Sequence, residues 1–169
     1  MLITYKIILL LTGFVSALSA GLFYAYSCSV NIGLSRLSDN EYLRAVQSIN
    51  RAILNPWFFA SFMGTLILLP LCTWLCYKNG AASISFHFLL AAAIIYIVGV
   101  FGVTIFGNVP LNEILDKFDI NSAVATELNI QRMRFEKPWN RLHFVRTIAS
   151  LASLLLTLGA MVICVKFKV

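Results

Sequence analysis

Trp139, His143 and Arg146 follow one another at spacings of four and three, so a helix carries all three on one face, with Leu142 beside them. An indole can stack on a flat ring system, an imidazole can move a proton near neutral pH, and a guanidinium can hold an anion. The group stands at the mouth of an apolar run, Phe144 to Val165. An arginine there is costly unless it snorkels, pairs or lines a polar cavity. The plainer alternative is an interfacial anchor, with the indole in the headgroups and the guanidinium reaching phosphate.

The elements that must position this face are membrane helices. Hydrophobic residues make up 60% of the chain and charged residues 12%, far from soluble proportions. Mean hydropathy is +0.85. Apolar runs extend from Ile7 to about Tyr26, Trp57 to Tyr77, Ile84 to Phe106 and Phe144 to Val165. Each approaches or exceeds the roughly 20 residues that cross a hydrocarbon core of about 30 Å. The pattern predicts an all-α integral membrane protein, a four-helix antiparallel bundle in one domain over residues 1–169. The spans fall near 7–28, 56–77, 84–106 and 143–165. The net charge of +6 does not point to nucleic acid. The basic residues are scattered over membrane flanks without an aromatic-interleaved patch.

Lys6, the first apolar run and Ala17-Leu18-Ser19 mimic a signal peptide. The run nevertheless continues through Leu22, Phe23 and Tyr24, and Gly13, Ala17 and Gly21 repeat every four residues, which favours a retained helix. Those three, with Gly99 and Gly102, are expected at helix contacts. Four spans place both termini and the short Lys78–Ser83 connection on one face, and the two long connections on the other. All 7 carboxylates belong to the long-connection face, whereas Lys6, Lys78, Lys166 and Lys168 crowd the short flanks of the terminal face. That crowding favours cytoplasmic termini in a bacterial inner membrane, although the raw count of basic residues points the other way.

Two chemistries are disfavoured. A thiol relay needs paired cysteines, but Cys72, Cys76 and Cys164 lack a Cys-x-x-Cys spacing and Cys28 stands apart, so buried apolar filling suits them better. His87 and His143 begin different helices at opposite faces, about one bilayer core apart, and cannot share a metal or haem. No metal and no cofactor are expected.

The first long connection reads as an amphipathic helix. Ser38-Asp39-Asn40-Glu41 fits a capping box, and Tyr42, Ala45, Val46, Ile49 and Ile53 form an apolar stripe. Asn50 sits on the flank of that stripe, while Glu41, Arg44, Gln47, Ser48 and Arg51 take the far face. Asn55-Pro56 ends one helix and begins the next. A helix lying on the bilayer and a lid over the bundle both require this pattern. In the second connection, Gly107-Asn108-Val109-Pro110-Leu111-Asn112 predicts a turn that ends the third helix. A short helix with Leu111, Ile114, Leu115 and Phe118 on one side then follows.

These residues together carry a resemblance. Gly21-Leu22-Phe23-Tyr24, Gln47-Ser48-Ile49-Asn50-Arg51, Asn55-Pro56, Asn108-Val109-Pro110-Leu111-Asn112 and Trp139-Asn140-Arg141-Leu142-His143-Phe144-Val145-Arg146-Thr147 occur in that order. The chain resembles, over nearly its whole length, the anthrone oxygenase-like family of small four-helix membrane proteins, long catalogued as a domain of unknown function. The resemblance implies a possible oxidation of anthrones to anthraquinones by molecular oxygen, as in fungal members; most bacterial relatives have no assigned activity. The matching positions are Asn50, Asn55, Asn108, Pro110, Asn112, Trp139 and Arg146. At position 143 the family often carries Asn, a departure that weakens any mechanism requiring an imidazole.

The chemistry can be set against the residues directly. An anthrone has an acidic methylene whose carbanion is delocalised and can pass an electron to oxygen itself. The protein would supply a base, a stabiliser for the enolate and an apolar slot. His143 is the candidate base and Arg146 the candidate stabiliser. Asn50, Asn55, Asn108, Asn112 and Trp139 are candidates for binding the substrate. Arg146 is expected within hydrogen-bond reach of Asn50, Asn55, Asn108, Asn112, Glu113 or Asp116. Two readings stand: a cofactor-independent membrane oxidoreductase or binding protein for a lipophilic polycyclic or quinone-like molecule, and a non-enzymatic membrane protein that binds lipid or a partner helix. Without an internal repeat or a membrane-embedded acid, a transporter fits less well.

Overall fold

A computed structural model describes residues 2–80 and 83–166. The first span begins as α1 (Leu2–Ala25), widens into a π-helical turn, π1 (Tyr26–Val30), and finishes as α2 (Asn31–Ser35). The amphipathic α3 (Asp39–Ala52) follows, then α4 (Pro56–Lys78). The third span consists of α5 (Ser83–Ile95), the π segments π2 (Tyr96–Gly102) and π3 (Thr104–Asn108), and α6 (Val109–Asp116). The last helix, α7 (Ala125–Lys166), is one rod. Four of these continuous helices are long and apolar enough to cross a bilayer: Ile3–Ser35, Pro56–Lys78, Ile84–Asp116 and Ala125–Cys164. They form an all-α antiparallel bundle in which α1 packs on α4 and α7, and α5 packs on α7 and α4. Among the described residues there is no strand.

Local chemistry sets the joints. Ser38 Oγ accepts from the Glu41 amide and the Glu41 carboxylate accepts from the Ser38 amide, so the expected capping box starts α3. Asn55 Oδ1 accepts from the Phe58 amide at 3.0 Å and Pro56 occupies the first turn, which starts α4. Gly80, at φ +61°, takes the left-handed backbone that closes α4.

The two long connections fold onto the same end of the bundle as a cap. Gln47 Nε2 donates to the carbonyls of Leu115 at 2.8 Å and Phe118 at 3.0 Å, and Arg51 pairs with Asp116 at 2.7 Å. Arg132 ties the outer part of α7 to the first span and to α3, donating to the carbonyls of Leu37 and Ser35 and to Asp39. Beneath these bonds lie Leu34, Tyr42, Leu43, Val46, Leu115, Ile120, Leu128, Phe135 and Trp139 as one apolar cluster.

Several sequence expectations need correction. The chain does not turn at Gly107–Asn112: it stays helical to Asp116, with negative φ at every residue there. The wide turn of π3 already departs from the i→i−4 ladder, so Pro110 at the start of α6 removes little. The α7 helix begins well before the apolar run, because Leu128, Phe135 and Trp139 form a helical stripe buried against the cap. Gln47 faces the second connection and not the solvent. Gly13 meets Met161 and Gly99 meets Ala149, as helix contacts require. Ala17 and Gly21 instead face outward, and Gly102 approaches only the Ile97 carbonyl. Lys168 lies outside the described residues.

Candidate functional site

The cap meets the spans around a cavity of about 110 Å³, lined by residues from every span and from α3. From α7 come Trp139, His143 and Arg146, on one helical face as their spacing requires. The first span supplies Leu22, Phe23 and Tyr26, the third Thr104, Asn108, Val109 and Asn112, and α4 Phe58. Ile49 and Asn50 of α3, with Ile53 and Leu54 of the joint that follows it, complete the wall.

Two of the three π segments place residues here. Tyr26 opens π1, and Thr104 and Asn108 open and close π3. A π turn inserts one residue into the helical count and rotates whatever follows, and such turns gather at functional sites. No 3.6-residue reading of the sequence anticipates that rotation. Hence Ser27 and Thr104 escaped the sequence reading, and Tyr26 at the head of π1, with Phe23 and Thr147 on regular helix, was not assigned to the site. Thr147, four residues after His143 on the same helix, was the one most open to inference.

The polar groups are arranged in pairs. Trp139 Nε1 donates to Asn112 Oδ1 at 2.8 Å, and Asn108 Nδ2 donates to the Trp139 carbonyl at 3.3 Å. These bonds fix the indole, which lies parallel to the His143 ring at 10° and 5.0 Å between centroids. Arg146 Nη2 lies 3.1 Å from His143 Nδ1, and Arg146 Nη1 donates to Thr104 Oγ1 at 3.4 Å. The guanidinium carbon sits 5.0 Å from the Phe23 ring centre and 5.3 Å from that of Trp139. On the other edge of the imidazole, Nε2 lies 3.0 Å from Ser27 Oγ.

Arg146 does point into the bundle mouth, with only 7% of its surface exposed. Its partners differ from those expected: among the described residues it hydrogen-bonds neither an asparagine nor an acid. Asp116 is taken by Arg51, and no carboxylate reaches Arg146 among the described residues. Its cation is held by two aromatic faces, an imidazole and a hydroxyl.

Three cavity-lining residues keep a buried polar atom without a partner: Arg146 Nε and Asn50 Nδ2, both donors, and Asn108 Oδ1, an acceptor. Such atoms are expensive in a dry interior, which makes their gathering around one cavity informative. Asn55 is not brought to the cavity; its amide caps α4 and donates to the Ala52 carbonyl at 2.8 Å. His87 lies on α5 at the far end of the bundle. Among the described residues no group of three His, Cys, Asp or Glu side chains could hold a metal. A larger depression of about 470 Å³, near Asp119 and Glu127, is an open surface feature, and Asp119 spends its carboxylate on Ser122 and the Asn121 amide.

No curated protein and no solved structure matches the chain. The family model described as anthrone oxygenase matches residues 57–156, well over half of the sequence. That stretch holds Thr104, Asn108, Asn112, Trp139, His143, Arg146 and Thr147 but not Ser27 or Asn50. With four membrane-capable helices and this α7 face in place, the chain belongs to the anthrone oxygenase family.

Proposed function

We propose that this protein binds a lipophilic polycyclic phenol or quinone-like molecule in the cap cavity and, when that molecule is an anthrone, promotes its oxidation by molecular oxygen without a cofactor. The supporting observation is Arg146, a buried cation with no carboxylate partner among the described residues and an unpartnered Nε at the cavity. A guanidinium so placed favours an anion over a neutral ligand. An enolate or phenolate oxygen suits Arg146 Nε and Asn50 Nδ2, and a neighbouring hydroxyl suits Asn108 Oδ1. Trp139 and Phe23 supply flat apolar surface.

The reaction balances as methylene plus oxygen giving carbonyl plus water. Removal of one methylene proton leaves a carbanion stabilised as the enolate. One electron passes to oxygen, and the resulting radical pair joins to form a C–O bond. Protonation gives a hydroperoxide, which loses water to become the ketone. In this reading His143 takes the first proton and Arg146 holds the enolate and then the peroxide anion. His143 can act only after Arg146 Nη2 has left Nδ1, as happens when the guanidinium turns to the carbonyl or a phenolate oxygen of the bound molecule. The cavity of about 110 Å³ is smaller than one of about 150 Å³ that accepts benzene, so a polycyclic ligand requires the site to widen.

That small volume also favours a second reading, a non-enzymatic membrane protein in which the cluster pins α7 to the cap and the exterior binds lipid or a partner helix. Protein reconstituted in nanodiscs decides between them. Oxygen uptake with a dihydroxyanthrone, together with mass spectrometry of co-purified small molecules, supports the first reading. If neither a dihydroxyanthrone nor a hydroxyanthraquinone binds, and no aromatic molecule co-purifies, the second stands. The lysines on the short flanks support cytoplasmic termini in a bacterial inner membrane, which C-terminal reporter fusions test directly.

A further inference from the structure

Both ring nitrogens of His143 are engaged, from opposite edges. A guanidinium can only donate. Arg146 Nη2, 3.1 Å away, therefore requires the lone pair on Nδ1 and leaves the proton of the neutral ring on Nε2. At 3.0 Å, Ser27 Oγ accepts that proton. The Ser27 hydroxyl then donates to Thr147 Oγ1 at 2.9 Å, and Thr147 donates to the His143 carbonyl at 3.0 Å. Thr147 also has the Phe23 carbonyl at 3.4 Å, so its proton goes to a carbonyl in either case and leaves Thr147 Oγ1 to accept from Ser27.

We propose that Ser27 is a positioning residue that holds His143 in the Nε2–H tautomer, keeping the Nδ1 lone pair on the Arg146 side; this role rests on the reading of the site given above. Stacking on Trp139 restrains the plane of the imidazole but is indifferent to a half-turn within that plane. Arg146 orients Nδ1 only while it remains beside the ring, and an anionic ligand draws it away. Ser27 is then the side chain that keeps the proton on Nε2, with the Phe23 carbonyl as the other acceptor that His143 meets. The other hydroxyl near Nε2, Thr147 Oγ1, is at 3.5 Å and is already committed to the His143 carbonyl. Ser27 comes from π1 on the first span, so this contact joins the first and last spans at the ring itself. It lies outside residues 57–156 matched by the family model.

The chain has 2 histidines, which makes the test direct. Protein labelled with 15N-histidine in nanodiscs gives two imidazole patterns, and His143→Asn assigns them. Wild type should show His143 as a single neutral Nε2–H form. Ser27→Thr should keep that pattern. Because the Arg146 guanidinium holds Nδ1 in the ligand-free protein, Ser27 is tested in an Arg146→Met background. There Ser27→Ala should populate the Nδ1–H form or speed exchange of the ring proton by roughly five- to tenfold, the shift expected for loss of one net hydrogen bond. Should Ser27→Ala fail to fold, Ser27→Cys, close in size and a poor acceptor, gives the same readout. A wild-type ring protonated on Nδ1, or a Ser27→Ala (or Cys) spectrum identical to that of Arg146→Met alone, overturns the assignment. The measurement needs no substrate. Absent turnover with the predicted spectra counts against the oxygenase reading alone, and the reverse outcome counts against Ser27 alone.

Discussion

The two ends of this bundle are built from the same four helices and differ in what they bury. At the terminal face, Tyr5, Leu9, Cys72, Cys76, Leu89 and Ala160 interlock as an apolar cluster. The thiols there are free and act as small apolar filler. At the capped end the same helices bury an arginine, a histidine and an asparagine around a cavity, and α-helical geometry gives way to π turns. In a bilayer, buried polar atoms and departures from the regular helix both carry a cost. The terminal end too buries an unpartnered hydroxyl, that of Tyr5, but among the described residues the buried arginine and histidine lie only at the capped end.

The comparison is most easily broken at Arg146. If its charge serves an anionic ligand, Arg146→Met should lower turnover or hydroxyanthrone affinity by a factor on the order of 10²–10³. Thermal unfolding in detergent should be unchanged or up to about 3 kcal/mol more favourable to the folded state, since a buried charge without an ionic partner costs more than an apolar isostere. Loss of stability together with function would make the capped end structural as well. Arg146→Lys should not rescue binding, because an ammonium cannot reproduce the guanidinium fork.

The opposite end should answer in the opposite sense. Leu89→Ala leaves a hole in the terminal-face cluster and should cost roughly 2 kcal/mol or more in thermal unfolding, while ligand affinity at the capped end stays within about twofold. An equal loss of binding would show that the two ends do not behave independently.

The smallest effect is expected from acid. Asp39, at the head of α3, is held below its ordinary carboxyl range by the Asn129 hydrogen bond and, beyond it, by Arg132. A depressed folded value means the contribution is present above the unfolded value near 4 and disappears as pH falls through the folded one. The cap should therefore loosen below about pH 4, seen as faster amide exchange in α3 with the spans still protected. Asp39→Asn should remove part of that pH dependence, the rest belonging to Glu41, held low by its hydrogen bonds to Ser38 at the start of α3.

Legibility followed the physics of each element. Apolar runs announced the spans because lipid admits little else, and Ser38 with Glu41 announced α3 because capping is a local event. The face Trp139–His143–Arg146 was readable because three and four are helical spacings. Gly107–Asn112 misled because glycine, asparagine and proline usually stop a helix, whereas here π3 absorbs them. Ala17 and Gly21 misled because spacing shows that a small face exists but not which neighbour, if any, it meets. Asn55 fits a ligand-binding asparagine and a helix cap equally well by type, and its amide is committed to the cap.

Taken alone, the sequence determined a four-span helical membrane protein with a polar face on its last helix. Hydropathy and helical periodicity are properties of consecutive residues, and they need no partner to be read. Only the tertiary structure decided what surrounds Arg146. Thr104 and Ser27 reach the site from other helices through π turns, and Asp116 is drawn away by Arg51. Those choices depend on where four helices rest against one another, and a shift of one residue in π1 or π3 would rotate a different side chain toward the site.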